Sequence, residues 1–198
     1  MTALILASAS EIRQNLLRQA GIACKAHGAR IDEATIKASM VDDGSTARDI
    51  ADSLAEFKAR KIAAKHPGAM VIGCDQVLEF RGKLLSKPAG LEDAISQLIM
   101  LRGQQHKLLS AIVVYEDGEP VWRHVGQVRL LMRDLSDDYI ATYMSRNWPG
   151  IADSVGGYKL EHEGSRLFSR VEGDYFTVLG LPLFELIGFL TQRGVIEG

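Results

Sequence analysis

The sequence predicts a mixed α/β domain that does not follow a strict βαβ repeat. Three observations point to it. A short apolar run, Ala3 to Ala7, ends in small residues and leads directly into an amphipathic helical pattern. A long apolar run follows Pro67-Gly68, after a helical pattern of some twenty residues, and reads as a buried strand. Two β-rich runs flank Asp117-Gly118, a hairpin signal that makes at least one strand pair antiparallel.

Taken in order, Ala3 to Ala7 reads as a buried strand. Ser10 caps a helix through Gln19, with Glu11 in the first turn, Ile12, Leu16, Leu17 and Ala20 on its apolar side, and Gly21 as the stop. Residues 22–30 are a candidate second strand. Residues 31–45 read as irregular and acidic. A long helix spans residues 47–65, with Ile50, Leu54, Phe57 and Ile62 marking its buried side and Pro67-Gly68 closing it. Residues 70–80 form a strand, and Arg81-Gly82 turns into residues 83–86. Residues 91–101 form a helix ending at Gly103. Residues 106–115 and 121–133 are the hairpin arms. Ser136 caps a helix to residue 145, residues 150–164 are glycine-rich and irregular, residues 168–171 are a strand, and residues 182–193 are the last helix.

At 198 residues, a single domain covering residues 1–198 is expected, with a core that needs no staples. Hydrophobic residues make up 46% and charged residues 24%, which excludes disordered and collagen-like classes. The net charge of −2 leaves no electrostatic footprint for nucleic acid. Cys24 and Cys74 are too few for a disulfide framework and read as free thiols in a reducing compartment. No basic segment precedes the first apolar run, so no signal peptide is expected. The longest apolar stretch, 178–190, contains Pro182 and Glu185 and is too short for a membrane span. The expected location is cytoplasmic.

Phosphate-loop, dinucleotide, His-Glu-x-x-His, Cys-x-x-Cys and Gly-x-Ser-x-Gly motifs are all missing. What remains is a set of polar residues in conspicuous places. Ser8, Ser10 and Arg13 surround a strand-to-helix junction, where free N–H groups and the helix dipole favour an anion; the alternative is a plain helix cap beside a solvated arginine. Asp75, with Gln76 after it, interrupts an apolar strand. A buried carboxylate needs a partner or a cation, which makes Asp75 a candidate metal ligand or general base; the alternative is an edge that turns it to water. Adjacent strand residues face opposite ways, so Asp75 and Gln76 share a site only near a strand end or a bulge. Lys58 and Lys61 both fall on the apolar side of the long helix, and periodicity does not choose between them; snorkelling explains either. Lys87, before Pro88, is a loop lysine that meets a phosphate or only water. Glu33 is a loop acid of the kind that supports magnesium at phosphates, or is simply solvated. The five histidines show no ligand spacing.

Together these residues resemble one family. Leu4-Ile5-Leu6-Ala7-Ser8-Ala9-Ser10 with Arg13 is similar to the Ser-x-Ser-Pro-x-Arg signature of the Maf proteins, nucleoside triphosphate pyrophosphatases once described as septum-formation inhibitors. Leu54-Ala55-Glu56-Phe57-Lys58-Ala59, Gly73-Cys74-Asp75-Gln76-Val77, Lys87-Pro88 and the run from Glu172 to Leu183 resemble the later signatures, in family order over nearly the whole chain. Glu11 departs from the family's usual Pro, and residues 147–156 match only loosely.

The resemblance implies an inosine-triphosphatase-like α/β fold, a long twisted mixed sheet flanked by helices, with two lobes and a central cleft. It implies hydrolysis of a nucleoside triphosphate to the monophosphate and pyrophosphate with Mg²⁺ or Mn²⁺, in the housecleaning of non-standard nucleotides, by a homodimer. Asp75, Glu33, Lys58 and Lys87 map onto its catalytic residues, with Glu33 and Asp75 as metal ligands. Ser8, Ser10, Arg13, Ile12, Gln76 and Glu161 map onto its substrate contacts. Ile12, Gln76 and Glu161 resemble the branch that prefers 7-methyl-GTP, and a carboxylate at 161 suits the N–H donors of a guanine edge. A dTTP- or UTP-preferring enzyme of the same family and a non-catalytic nucleotide-binding regulator of cell division are the competing readings. A nucleic-acid-binding module is disfavoured by charge.

Overall fold

In the computed structural model, residues 3–197 are described. The elements run β1 (Leu4–Leu6), α1 (Glu11–Gln19), β2 (Lys25–Ala26), α2 (Glu33–Asp42), α3 (Ala47–Ala63), β3 (Met70–Phe80), β4 (Lys83–Leu85), α4 (Leu91–Leu101), β5 (Gln105–Glu116), β6 (Glu119–Met132), α5 (Asp137–Asn147), β7 (Phe168–Glu172), α6 (Tyr175–Val178) and α7 (Leu183–Gln192). Short 3₁₀ turns at Val155–Gly157 and Glu163–Leu167 break the segment between α5 and β7. The strands form one seven-stranded sheet in the order β2-β1-β3-β5-β6-β7, with β4 also paired to β3. It is mixed: β1 runs parallel to β2 and β3, whereas β3–β4 and β6–β7 are antiparallel. No helix among the described residues is long and apolar enough to cross a membrane.

The chain divides into two compact units. Unit 1 comprises residues up to Gln76, Leu109–Gly126 and Asp174 onward; unit 2 comprises Val77–Leu108 and Gln127–Gly173.

Within unit 1 the alternation of β3 decides what each face carries. Met70, Ile72 and Cys74 join Leu4, Leu6, Leu16, Leu17, Leu186 and Leu190 in one buried cluster with α1 and α7. Val71, Gly73 and Asp75 lie on the other face, towards α3. A Cβ on Gly73 would collide with the Ala55 carbonyl and come within 2.7 Å of the Ala59 side chain. Glycine thus lets the α3 backbone approach β3 closely. α3 begins with a complete capping box, Thr46 Oγ1 accepting from Asp49 N at 3.2 Å and Asp49 Oδ2 accepting from Thr46 N at 3.2 Å. Its buried side is Ile50, Ala51, Leu54, Ala55, Lys58, Ala59 and Ile62.

Within unit 2, α4 and α5 bury Leu98, Leu101, Ile140, Tyr143 and Met144. Ser136 caps α5 as expected, accepting from Tyr139 N at 3.2 Å. The hairpin turn is where the sequence places it, with Asp117 and Gly118 both at positive φ (51° and 87°).

Four expectations change. Residues 31–45 are not irregular: α2 occupies Glu33–Asp42, capped by Asp32, whose side chain accepts from Thr35 N at 3.1 Å. None of its residues is buried, so it leaves no apolar stripe to read. The strand expected over 22–30 shrinks to Lys25–Ala26, both exposed. The helix α6, one turn long and capped by Asp174, was not expected at all. Ser10 occupies the N-cap of α1 in extended conformation but makes no side-chain cap bond; its backbone N–H instead donates to Ser8 Oγ at 3.2 Å.

Candidate functional site

Glu33, Lys58 and Asp75, all of unit 1, meet where α2, α3 and β3 converge. Lys58 is four residues from Leu54 and from Ile62, so it sits in the buried stripe of α3 and faces the strand side that carries Asp75. Its Nζ lies 2.5 Å from Asp75 Oδ1 and 2.7 Å from Glu33 Oε1. Lys58 and Asp75 side chains are 10% and 6% exposed and Glu33 is 38% exposed, so the cluster is closed at the strand and open at α2. Glu33 also approaches Lys37 one turn on, at 4.0 Å. The choice that periodicity left open is thereby made: Lys58 is the buried lysine, while exposed Lys61 donates to the Arg30 carbonyl.

Burial alone would lower the Lys58 pKa, but Asp75 and Glu33 outweigh it and hold the ammonium above the ordinary lysine range. It is charged at neutral pH. Two of its three donors are taken by the carboxylates. Asp75 uses one oxygen on Lys58; the other, Oδ2, is buried with no hydrogen-bond partner among the described residues. An orphaned buried carboxylate oxygen is costly in a finished interior and is the feature a ligand would satisfy.

Arg13 is not a solvated arginine. Its Nη1 donates to the Cys74 carbonyl at 3.0 Å, one residue before Asp75. Its guanidinium also lies against Gly180: a Cβ there would sit 2.9 Å from Nη2, and φ of 89° suits glycine. Ser8 is buried and Ser10 half-buried at the start of α1, whose first N–H groups have no intrahelical acceptor. Ile12 packs, half-buried, against the α1–α7 cluster.

Gln76 points away from Asp75, as strand alternation requires. Its Nε2 lies 2.9 Å from Ser110 Oγ, 2.9 Å from Val178 O and 3.2 Å from Thr177 O, three acceptors shared by its two hydrogens. Ser110 itself donates to Thr177 O at 2.7 Å. Two backbone carbonyls fix which end of the amide is nitrogen, so Gln76 ties β3 to the α6 segment and keeps only its side-chain oxygen for any other contact. Ser110, Thr177 and Gly180 are partners that the sequence reading missed. Ser110 stood out in principle, as a hydroxyl inside the apolar run 108–114, where a buried polar group demands a partner.

Lys87 and Glu161 belong to unit 2. Lys87 is exposed in the loop before buried Pro88. Glu161 is half-buried and carries no hydrogen bond or ion pair among the described residues. Among those residues no three His, Cys, Asp or Glu side chains cluster as a metal site by themselves.

The chain is similar to known proteins over nearly its whole length. A nucleoside triphosphate pyrophosphatase of Ruegeria pomeroyi is 59% identical over 194 residues, 98% of each chain. One of Roseobacter denitrificans is 60% identical over 191 residues, 96% of each. A 7-methyl-GTP pyrophosphatase of Rhizobium etli is 43% identical over 195 residues, 98% of each. The family described as Maf-like protein matches residues 3–193, a span that takes in every residue discussed above. By that match and those identities, the chain belongs to the Maf-like protein family.

Proposed function

We propose that this protein hydrolyses a nucleoside triphosphate to the monophosphate and pyrophosphate, with a guanine-type base, 7-methyl-GTP-like, as the preferred substrate. The observation that carries the reading is the buried Lys58–Asp75 pair with Glu33 at its open side and Asp75 Oδ2 unpartnered. Hydrolysis at a phosphate needs charge neutralisation and an oriented water more than a covalent nucleophile. In this reading Asp75 Oδ1 is held by Lys58, and Oδ2 is the atom that takes the proton of the attacking water. The third donor of Lys58 is left for a phosphate oxygen. Arg13, Ser8, Ser10 and the α1 N-terminus offer further donors for the anionic tail.

The donor set suits Mg²⁺ or Mn²⁺. Two carboxylates of the all-oxygen kind, Glu33 and Asp75, are the number that such ions take from a protein when phosphates complete the shell; with Oδ2 as a ligand atom, Asp75 would hold the ion instead of taking the proton. Bound there, the ion would neutralise phosphate charge and lower the pKa of a bound water. Glu11 is exposed at the first turn of α1.

For the base, Glu161 is a carboxylate without an internal partner, suited to accept paired N–H donors of a guanine edge and to favour the positive charge of a 7-methylated ring. The relative from Rhizobium etli, named for 7-methyl-GTP, supports the same preference. The test is pyrophosphate release from 7-methyl-GTP, GTP, ITP, UTP, dTTP and CTP with each metal. Fastest turnover of 7-methyl-GTP is expected. Preference for UTP or dTTP would overturn the base assignment and keep the reaction; nucleotide binding without release from any substrate would overturn the reaction and favour a regulator.

A further inference from the structure

Unit 2 buries a histidine that this chemistry does not use. His106, near the start of β5, is 1% exposed. Its Nε2 lies 2.7 Å from the Tyr158 hydroxyl, and its Nδ1 is buried with no hydrogen-bond partner among the described residues. The ring stands 5.7 Å from Tyr158 and 5.8 Å from Phe168, and those two meet edge to face at 4.8 Å. Burial holds the His106 pKa down to about 4, so the imidazole is neutral, with one N–H and one lone pair. Two apolar rings would fill this space without stranding a polar atom. What the polar pair adds is direction: a hydrogen bond that fixes the Tyr158 ring, and with it the backbone of residue 158.

That backbone begins the segment leading to Glu161. Tyr158 follows the 3₁₀ turn Val155–Gly157, and its carbonyl accepts from Ser154 Oγ at 2.5 Å. Gly156 has φ of 79° and no room for a Cβ beside Leu78 and the Tyr158 ring. Lys159 pairs with Asp153 at 2.8 Å, and Gly164 presses against the Lys159 backbone too closely for any side chain. The chain is therefore held on both sides of Glu161, whereas the Glu161 carboxylate is left uncommitted.

We propose that His106, through its hydrogen bond to Tyr158, is a positioning residue for base selection: it holds segment 156–161 so that the Glu161 carboxylate is presented ready-oriented to a nucleobase with adjacent N–H donors. The inference rests on the reading of Glu161 given above. Pre-orientation of this kind acts on binding of the base and leaves the phosphate chemistry alone. Tyr158→Phe removes the hydroxyl and keeps the ring; His106→Leu removes both nitrogens; His106→Gln keeps a group able to bond Tyr158.

The experiment measures kcat and KM of pyrophosphate release for GTP and for UTP, equilibrium binding of a non-hydrolysable GTP analogue, and the thermal midpoint of each variant. Tyr158→Phe and His106→Leu are expected to raise the GTP KM and weaken analogue binding about tenfold, the upper range for one hydrogen bond. Their kcat should stay within about twofold, their UTP KM should barely move, and His106→Gln should recover most of the loss. A fall in kcat shared by both nucleotides, or a GTP KM that does not move, would overturn the inference. Glu161→Gln is measured alongside. If it weakens GTP while His106→Leu does not, only the positioning role fails; if it leaves GTP unchanged, the Glu161 reading fails and the inference with it.

Discussion

Replacing Lys58 by Met tests the buried pair most sharply. The substitution keeps a long unbranched stem in the α3 stripe but leaves Asp75, 4% exposed, without the ammonium 2.5 Å away. At an effective dielectric of about 20 the attraction across that distance is about 7 kcal/mol gross. Desolvation of the two ions costs several kcal/mol each, so the pair as a whole is near neutral for stability. Removing one member is another matter, because an uncompensated buried charge remains, at about 3–5 kcal/mol. Glu33, more than a third exposed, is screened by water and adds little to this figure. At about 2–4 °C per kcal/mol for a chain of this size, the melting midpoint should fall by about 10 °C at pH 7.

Lys58 is raised above its ordinary value of 10.5, so its contribution is fully present below that value and fades only as pH climbs past it. The double variant Lys58→Met/Asp75→Leu should regain most of the midpoint while remaining inactive. Thermal unfolding of the three proteins at pH 7 decides the matter. A single variant within about 1 kcal/mol of wild type would show that buried Asp75 does not need the Lys58 ammonium.

Two further outcomes follow from particular residues. Burial holds the His106 pKa down from 6.5 to about 4, worth about 3 kcal/mol; because the folded value is depressed, this stability is present above pH 6.5 and lost as pH falls towards 4. His106→Gln should flatten that part of the stability-versus-pH curve, read by urea midpoints at pH 7, 5.5 and 4.5. Gly180→Ala adds a Cβ at φ of 89°, 2.9 Å from Arg13, and should cost about 1–3 kcal/mol while displacing the guanidinium from the Cys74 carbonyl. Thermal melting together with nucleotide KM reports both effects, and an unchanged KM would remove Arg13 from the proposed phosphate contacts.

What was legible in the sequence was what burial writes into it. β3 and α3 announce themselves by apolar periodicity, and the hairpin by Asp117-Gly118, whose positive φ values the turn demands. α2 wrote nothing, because a wholly exposed helix needs no stripe and its cap at Asp32 looked like one more loop acid. α6 is a single turn held by Asp174 and is shorter than any periodic signal. The site was half legible. Asp75 stood out as a charge within an apolar strand, but Lys58 and Lys61 were indistinguishable until β3 supplied the carboxylate that one of them meets. Gln76 read as a substrate contact on resemblance, yet its amide nitrogen is engaged by Ser110, Thr177 and Val178, partners up to 102 residues away that no local pattern encodes.

The role proposed for Asp75, held by Lys58, is read from the stoichiometry of pyrophosphate and nucleoside monophosphate released from 7-methyl-GTP by wild type and by Asp75→Asn, each with Mg²⁺ or Mn²⁺ and again with the metal chelated. Wild type is expected to release the two products equally, and the variant to lose about 10²–10⁴-fold in rate, the range for removing a general base. Asp75→Asn turning over within a few-fold of wild type, or products other than pyrophosphate and monophosphate, would contradict it.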